Sequence, residues 1–446
     1  MATLRDDTIA AISTPPGEGA IALLRITGPD ALAIGDKIFS ASKPLSQLKA
    51  RTLYFGKILD GADAVDEGLV CIFHEPASYT GETMMEISCH GGILVTQRVL
   101  EIALRAGARH AEAGEFTQRA FLNGKMDLTQ AEAVMDLIHA RSALAMKAAT
   151  NQLDGGLSRR TLEIRELLLT AIAHLEAFID FPEEGIEPDD LTALKSRFTD
   201  ILTAIDALLA TADEGRILRE GVKLVLCGPP NAGKSSLLNR LLGYERAIVS
   251  TQPGTTRDTI EESLTLGGVP FRVTDTAGLR ETEDAIEMEG IRRTRKSLEG
   301  ADLIIHLADA SEWKGVPPSL HPQEILALNK IDLAAPPDGV PENVRRISCK
   351  TGEGMKELVA DILRHVSHGK ALPGESAIVI NARHQACLKK AHDAISKGHS
   401  ELERHSPPEL VAIELHAANY ALGEIVGIAD TEEILGRIFS TFCIGK

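Results

Sequence analysis

A run of glycine, lysine and serine residues near the middle of the chain has the spacing of a phosphate-binding loop. Residues 228–235 fit the pattern G-x-x-x-x-G-K-[ST], between an apolar strand pattern and the start of a helix. Such a loop turns successive backbone N–H groups toward one point, where the helix N-terminus adds partial positive charge. Lys234 would reach the β- and γ-phosphates, and the Ser235 hydroxyl would bind Mg²⁺. The sequence therefore predicts a nucleotide site.

Later segments make that nucleotide a guanine nucleotide. Asp332 ends an N-K-x-D segment, and its carboxylate can accept hydrogen bonds from N1–H and the exocyclic amine of guanine. Adenine lacks both of these donors. Thr256 in G-T-T-R-D is expected to contact Mg²⁺ and the γ-phosphate, and Asp275 opens D-T-A-G. Residues 348–350 read S-C-K, where guanine-nucleotide-binding domains usually carry S-A-K.

These segments follow one another in the order expected of a P-loop GTPase. The predicted GTP-binding residues are Asn231, Ala232, Gly233, Lys234, Ser235, Ser236, Ser250, Thr251, Gln252, Pro253, Gly254, Thr255, Thr256, Asp275, Thr276, Ala277, Gly278, Asn329, Lys330, Asp332, Ser348, Cys349 and Lys350.

Hydrolysis needs a group that the loop itself does not supply. Leu279 stands where Ras-like proteins carry the glutamine that orients the attacking water, and leucine cannot do so. Asn231 lies close to where an arginine finger would act, so a monovalent cation bound there could neutralise charge in its place. Glu287 lies in the acidic run 281–287, which by spacing alone is a mobile, solvated switch loop.

Length and composition describe a multidomain globular protein. The chain has 446 residues, 44% of them hydrophobic, and a net charge of −17, which counts against a protein that coats nucleic acid by charge. A local basic patch is not excluded. The six cysteines are scattered without a C-x-x-C pair, which argues against a zinc site and for reduced thiols. Together with a polar N-terminus and no long apolar run, this predicts a cytoplasmic protein without a membrane segment.

The elements that must position these residues change character along the chain. Residues 1–120 show an α+β pattern, residues 121–219 and 377–446 a helical one, and residues 220–366 the strand–helix alternation of a mostly parallel sheet. Residues 367–376 have the composition of a linker. We therefore predict a G domain inserted into a helical bundle domain that follows an α+β domain. Thr129 to Glu132 has the pattern of a capping box that begins a long helix.

Two polar residues stand within strand patterns of the first domain. Arg25 and Glu86 are each flanked by apolar residues. From spacing alone, the favoured interpretation is that each points outward to water.

Taken together, the motifs resemble the MnmE (TrmE) family of bacterial and organellar tRNA modification GTPases. The resemblance lies in N-A-G-K-S at 231–235, G-T-T-R-D at 254–258, D-T-A-G-L-R-E at 275–281 and the terminus 435–446. It extends to T-P-P-G at 14–17, G-E at 81–82, H-G-G at 90–92 and G-E-F at 114–116, and so covers the whole chain.

The resemblance implies ligands and an assembly. A homodimer forms through the N-terminal domain, which binds a formyl-tetrahydrofolate at Arg25, Glu86, Lys125 and Lys446; this reverses the interpretation drawn from spacing. We therefore expect Ser235 and Thr256 to bind Mg²⁺, and Asn231, Ser250, Gln252 and Thr255 to bind K⁺. Dimerisation of the G domains is expected to activate hydrolysis, with Glu287, Asn231 and Lys234 in catalytic roles. The loop here reads S-T-Q-P-G where relatives often carry T-D-I-A-G.

The resemblance also implies the reaction. With the flavoprotein partner MnmG, in a heterotetramer, such proteins form aminomethyl or carboxymethylaminomethyl groups at C5 of the wobble uridine of certain tRNAs, using a one-carbon unit from a reduced folate. Two alternatives stay open: a ribosome-assembly or other RNA-linked regulatory GTPase, and a folate-dependent one-carbon transferase whose G domain is only regulatory. Cys443 is either a reactive thiol or a small packed side chain.

Overall fold

The computed structural model describes residues 6–180, 188–244, 261–275, 300–313, 315, 323–334, 340–341, 343–367, 378–428 and 432–446. Contacts between Cα atoms divide the chain into two compact units. The first comprises Met1–Met135, Gln152–Ile205 and Ala386–Lys446, and the second comprises Asp136–Asn151 and Asp206–Gln385.

A seven-stranded sheet organises the beginning of the first unit. Its strands β1–β7 are, in chain order, Ile9–Ile12, Gly19–Thr27, Phe39–Ser40, Tyr54–Asp60, Asp63–Phe73, Met84–Gly91 and Arg109–His110. They lie in the order β3-β4-β5-β6-β2-β1-β7, antiparallel except for the parallel pair β1 and β7. Helices α1 (Ala31–Ile38) and α2 (Ile93–Ala106) pack on this sheet.

The two faces of this sheet have different roles. In β2, Ala22, Leu24 and Ile26 are buried in the core that α1 and α2 complete, as the alternation of side chains along a strand requires. Arg25 between them belongs to the opposite face. The helix-covered face therefore supplies the main core, while Ile9 and Ala11 of β1 belong to a smaller buried cluster with Phe116.

The remaining helices are described in chain order. Helices α3–α13 are Glu115–Leu122, Leu128–His139, Ala143–Leu153, Gly156–Asp180, Pro188–Leu209, Ala212–Glu220, Lys234–Leu242, Met355–Val366, Ala382–Glu403, Pro408–Val426 and Glu432–Ser440. In the first unit, α6 and α12 pack against each other and carry buried leucines such as Leu168 and Leu415, as expected of a helical bundle.

The N-terminus of α4 differs from the prediction by two residues. The prediction placed the cap at Thr129, whereas Asp127 caps the helix: its Oδ1 accepts the Gln130 N–H at 3.0 Å, and Gln130 Oε1 accepts the Asp127 N–H at 3.0 Å. Asp127 and Gln130 thus form the reciprocal pair of a capping box. Thr129 instead donates its hydroxyl to Asp127 Oδ1 at 2.7 Å, because it lies inside the first turn.

The C-terminal residues return to the N-terminal part of the first unit. Phe439 and Phe442 pack with Leu128 and Leu435, and Ile444 forms a β-bridge with Ala113. The Ser13 hydroxyl donates to the carbonyl of Gly445 at 3.0 Å. The last residues of the chain are therefore part of the fold around β1 and α3.

A six-stranded sheet forms the centre of the second unit. Its strands β8–β13 are Val222–Cys227, Glu261–Leu266, Val269–Asp275, Leu303–Asp309, Glu324–Asn329 and Arg345–Arg346. The order is β13-β12-β11-β8-β10-β9, and every pair is parallel except β9 with β10. This confirms the predicted mostly parallel sheet. Parallel strands place their carboxyl ends at one edge, where open α/β sheets bind ligands.

In the described part of the chain, we find no helix with the length and apolar character needed to cross a membrane.

Candidate functional site

The phosphate loop joins β8 to α9 and is held tightly against its neighbours. Gly228 has φ +146°, and a Cβ there would lie 2.0 Å from the carbonyl oxygen of Leu307 on β11. Gly233 has φ +99° and is the N-cap of α9; a Cβ there would lie 2.2 Å from the side-chain nitrogen of Asn329. Both positions therefore require glycine, by conformation and by space.

Lys234 lies inside the loop. Its side chain is 7% exposed, and Nζ donates to the carbonyl oxygens of Gly228 at 2.8 Å and Pro229 at 3.0 Å. The ammonium group is thus held at the concave side of the loop, where phosphate oxygens would compete for it. Asn231 has φ +64° and is exposed, as are Ser235 and Ser236 in the first turn of α9.

Asn329 connects the phosphate loop to the segment beyond β13. Its side chain is 2% exposed; Nδ2 donates to the Ala232 carbonyl at 2.8 Å, and Oδ1 accepts the Cys349 N–H at 3.0 Å. A buried amide with both ends satisfied fixes the distance between the elements that it joins. The structure therefore brings three of the predicted GTP-binding segments together.

Asp332 is oriented by Ser348. The buried Ser348 hydroxyl donates to Asp332 Oδ1 at 2.7 Å and accepts the Thr351 N–H at 3.1 Å. Asp332 itself is exposed, so its carboxylate is directed by the serine yet accessible to a ligand. The side chain of Cys349 is half-buried, and burial raises the pKa of its thiol to about 11, so the thiol is protonated at neutral pH. Lys350 is exposed.

Part of the predicted nucleotide and cation site lies outside the described residues. This holds for Ser250, Thr251, Gln252, Pro253, Gly254, Thr255, Thr256, Thr276, Ala277, Gly278, Leu279 and Glu287. Asp275 is described only as the last residue of β10, where it pairs in register with Leu226 of β8, next to the loop.

Ser235 and Asn231 are the described candidates for ligands of Mg²⁺ and K⁺, respectively. The Ser235 hydroxyl lies at the start of α9, where a P-loop serine binds Mg²⁺ together with phosphate oxygens. Within the described ranges there is no group of three His, Cys, Asp or Glu side chains able to hold a metal. Of the predicted K⁺ ligands, the structure describes Asn231, whose exposed amide oxygen is a hard donor.

A cavity of about 320 Å³ lies in the first unit. Its lining combines an acid, two cations, two aromatic rings and small or apolar groups; these are Arg51, Phe73, Ala77, Ser78, Tyr79, Met84, Glu86 and Lys125. It therefore contains two of the four residues predicted to bind folate, Glu86 and Lys125.

Arg25 lies behind Glu86. The two residues are cross-strand partners on β2 and β6, and Glu86 Oε1 accepts from Arg25 Nε at 2.9 Å and Nη2 at 2.7 Å. Their side chains are 14% and 20% exposed, and the guanidinium carbon lies 5.2 Å from the ring centroid of Tyr79. The interpretation from spacing, that each points to water, is wrong because these two strands are neighbours and their charges pair.

The other two predicted folate residues differ in position. Lys125 Nζ donates to the Pro76 carbonyl at 3.0 Å at the rim of the cavity. Lys446 is half-buried, its N–H donates to the Cys443 carbonyl at 3.3 Å, and it is not among the residues that line the cavity. The exposed Cys443 lies in the same terminal turn.

Sequence reasoning missed Arg51, Phe73 and Tyr79 as cavity residues. Arg51 has φ +57° and lies here because its N–H donates to the Ile72 carbonyl at 2.9 Å, next to Phe73. No motif marks Arg51. Tyr79, however, lies three residues before Glu82 of the G-E pair in the family resemblance. The sequence could therefore have indicated this segment.

A partly buried ionic network joins α3 to β7 and to Asp7, which precedes β1. The Arg119 guanidinium is 3% exposed and contacts Asp7 Oδ1 at 2.6 Å and Glu115 Oε1 at 3.0 Å. Arg109 contacts Glu115 Oε1 at 2.5 Å and Asp7 Oδ2 at 2.7 Å. The Arg109 hydrogen bond lowers the pKa of Asp7; for Glu115, burial raises the pKa but the arginine contacts outweigh it, so its pKa is also lowered.

Comparison with known proteins finds matches along nearly the whole chain. A family model described as the MnmE helical domain matches residues 128–443, and one described as the GTP-binding protein TrmE N-terminus matches residues 8–125. A relative from Akkermansia muciniphila, described as tRNA modification GTPase MnmE, is 50% identical over 98% of this chain and 99% of its own length. A relative of the same description from Moorella thermoacetica is 45% identical over 99% of this chain and 100% of its own length.

Among solved structures, the G domain of the T. maritima FeoB iron transporter is 31% identical over 32% of this chain and 98% of its own, with a TM-score of 0.24.

The two family models together span both the N-terminal sheet and the helices on either side of the phosphate loop. The relatives match at nearly full length on both sides. The chain therefore belongs to the MnmE family of tRNA modification GTPases.

Proposed function

We propose that this protein hydrolyses GTP to drive the modification of tRNA at C5 of the wobble uridine. The nucleotide part of the proposal rests on the buried Asn329 amide, which joins the phosphate loop to the base-side segment through Ala232 and Cys349. The tRNA part rests on the full-length match to relatives described as tRNA modification GTPase MnmE. A site with a phosphate cradle at one end and an oriented carboxylate, Asp332, at the other fits a guanine nucleotide.

In this site each described residue has a defined task. Backbone N–H groups of the loop and the Lys234 ammonium, which the Gly228 and Pro229 carbonyls hold in the loop, neutralise phosphate charge. The Asp332 carboxylate accepts two hydrogen bonds from guanine. We propose that Ser235 and Thr256 hold Mg²⁺, which neutralises charge that develops on the phosphates.

We further propose that K⁺ activates hydrolysis. Asn231, together with Ser250, Gln252 and Thr255, would hold it beside the phosphates, where it supplies the charge of an arginine finger. Glu287 would orient the attacking water, since Leu279 cannot. Dimerisation of two G domains across the nucleotide completes the site in this proposal.

The cavity of the first unit is the proposed reduced-folate site. Glu86 can accept hydrogen bonds from the N–H groups of a pterin, while Phe73 and Tyr79 offer apolar and aromatic surface. Arg51 and Lys125 on the same lining supply positive charge for the glutamyl carboxylates. Arg25 orients Glu86 through two hydrogen bonds to Oε1, and Lys446 is proposed to approach from the terminal turn. A 5-formyltetrahydrofolate or related folate would supply the one-carbon unit.

The assembly and the division into domains are likewise proposals. We propose a homodimer joined through an N-terminal domain of residues 1–120, a helical domain of residues 121–219 and 377–446, a G domain of residues 220–366 and a linker of residues 367–376. A flavoprotein partner, MnmG, would act with it on tRNA in the cytoplasm as a heterotetramer. The full-length match to relatives named as tRNA modification GTPases supports this over a ribosome-assembly GTPase.

Nucleoside analysis of tRNA from cells lacking the gene tests the proposal. We expect unmodified C5 at wobble uridines, restored by the wild-type gene and not by a gene carrying Lys234→Ala. Unaltered wobble uridines in the deletion strain would refute the proposed reaction. The guanine site is tested separately: Asp332→Asn should shift preference from guanine toward xanthine nucleotides, because xanthine offers an acceptor where guanine offers a donor.

A further inference from the structure

We propose that Asp309 is a positioning residue for guanine recognition, which acts by fixing Lys330 between Asn329 and Asp332. The inference rests on the guanine site proposed above and extends it to a residue outside the sequence motifs. Asp309 is the last residue of β11 and lies beside Asn329, the last residue of β12, in the parallel ladder.

The Asp309 carboxylate is held from two sides. Its Oδ1 accepts the Ser311 N–H at 2.9 Å and the Ser311 hydroxyl at 2.7 Å, and its Oδ2 lies 2.7 Å from Lys330 Nζ. The Lys330 hydrogen bond, with those from Ser311, lowers the pKa of Asp309 to about 2, so the carboxylate is charged at any working pH. A fixed anion therefore faces the lysine ammonium.

Lys330 has a backbone conformation that needs such support. Its φ is +67°, in the left-handed region that residues other than glycine, asparagine and aspartate seldom adopt. Asn329, which ties the phosphate loop, precedes it directly, and Asp332 follows two residues later. A change in the backbone at Lys330 would therefore shift the loop tie and the base-side carboxylate relative to each other.

The exposure of the Asp309–Lys330 pair indicates that it orients Lys330 more than it stabilises the fold. The side chains of Lys330 and Asp309 are 31% and 13% exposed, and ion pairs near the surface contribute little to folding. Their geometry is nonetheless well defined, since Ser311 fixes one oxygen and Lys330 the other. We therefore expect loss of the pair to weaken guanine nucleotide binding more than it lowers the melting temperature.

The experiment compares Asp309→Asn with Asp302→Asn in the full-length protein. Asp302 lies at the opposite end of β11, pairs with Arg216 at 3.0 Å and accepts the Lys223 N–H at 2.9 Å, so it is a matched control. We expect Asp309→Asn to release fluorescent GDP about tenfold faster and to raise KM for GTP by a similar factor, with kcat within about twofold. Asp302→Asn should behave as wild type.

A double-mutant cycle with Lys330→Met separates positioning from a general structural effect. If Asp309 acts through Lys330, Asp309→Asn adds nothing to the release rate in the Lys330→Met background. Additive effects, or a wild-type release rate in Asp309→Asn, would overturn the proposal. Should Asp309→Asn fail to fold, Asp309→Glu retains the charge but displaces it by one methylene, and it too must release GDP faster.

Failure of this inference can be told from failure of the proposed site. If Asp332→Asn shifts preference to xanthosine diphosphate while Asp309→Asn releases GDP at the wild-type rate, only the role of Asp309 is wrong. If Asp332→Asn leaves GDP preferred, the guanine site itself is wrong, and the inference falls with it.

Discussion

Arg25 and Glu86 face each other across neighbouring antiparallel strands, with Arg25 Nη2 2.7 Å from Glu86 Oε1, and Glu86 lines the cavity in the first unit. The arginine binds a single carboxylate oxygen through two nitrogens. Arg25 therefore does not occupy Glu86 Oε2, which in the proposed folate site would accept from a donor-rich heterocycle such as a pterin.

Replacing Glu86 with glutamine should weaken binding of 5-formyltetrahydrofolate by about tenfold or more, because an amide carries no charge and offers one acceptor. Isothermal titration calorimetry on the full-length protein measures this, and GTP hydrolysis should be unaffected. Glu67→Gln, on the exposed part of neighbouring strand β5, is the control and should bind as wild type. Equal affinities of the two variants would remove Glu86 from the folate site.

Gly228→Ala should abolish nucleotide binding and destabilise the second unit by about 3 kcal/mol, because the residue combines φ +146° with a Cβ position 2.0 Å from the Leu307 carbonyl. Fluorescent GDP binding and chemical denaturation measure the two effects. Gly243→Ala is the matched control, since the nearest atom to a Cβ there is at 3.5 Å, an ordinary contact. Tight GDP binding by Gly228→Ala would contradict the loop geometry.

The network around Glu115 should make folding stability sensitive to acid. The pKa values of Asp7 and Glu115 are lowered in the folded state, so the folded protein binds fewer protons than the unfolded chain. Their contribution is complete above the ordinary carboxyl pKa of about 4 and is lost as pH falls through that value and below.

Glu115→Gln should therefore lower the free energy of unfolding by about 3 kcal/mol near neutral pH and flatten its decline in acid, because Arg109 and Arg119 lose a buried partner. Urea unfolding at a series of pH values measures both. Glu101→Gln, whose side chain is 60% exposed, is the control. A Glu115→Gln profile parallel to wild type would show that this carboxylate is not linked to the acid transition.

GTP turnover should be faster in K⁺ than in Na⁺ by at least about tenfold, since a correctly sized cation replaces an arginine finger. Asn231→Ala should remove the difference between the salts while GDP binding persists. Asn239→Ala, on the exposed side of α9, should retain the wild-type dependence. Equal turnover of the wild-type protein in the two salts would refute the cation proposal.

Local patterns were sufficient for much of the fold. The alternation after residue 220 predicted the mostly parallel sheet, and the strand before the phosphate loop is present as β8, Val222–Cys227. The cap of α4 was misplaced, because Asp127 and Thr129 are both good N-cap residues and the sequence does not say which one begins the helix. The pairing of β2 with β6 was not predicted, because the two strands are far apart in sequence.

The sequence by itself determined the phosphate-loop pattern, the N-K-x-D segment and the family, because each depends on residue types at fixed short spacing. The tertiary structure decided what those residues contact. In the folded chain, Lys234 donates hydrogen bonds to carbonyls of its own loop and Asn329 donates one to the Ala232 carbonyl. Asp309 forms an ion pair with Lys330. The tertiary structure also paired Arg25 with Glu86. The physical reason is that sheet order and register bring distant residues into contact, and these arise only when the whole core is packed.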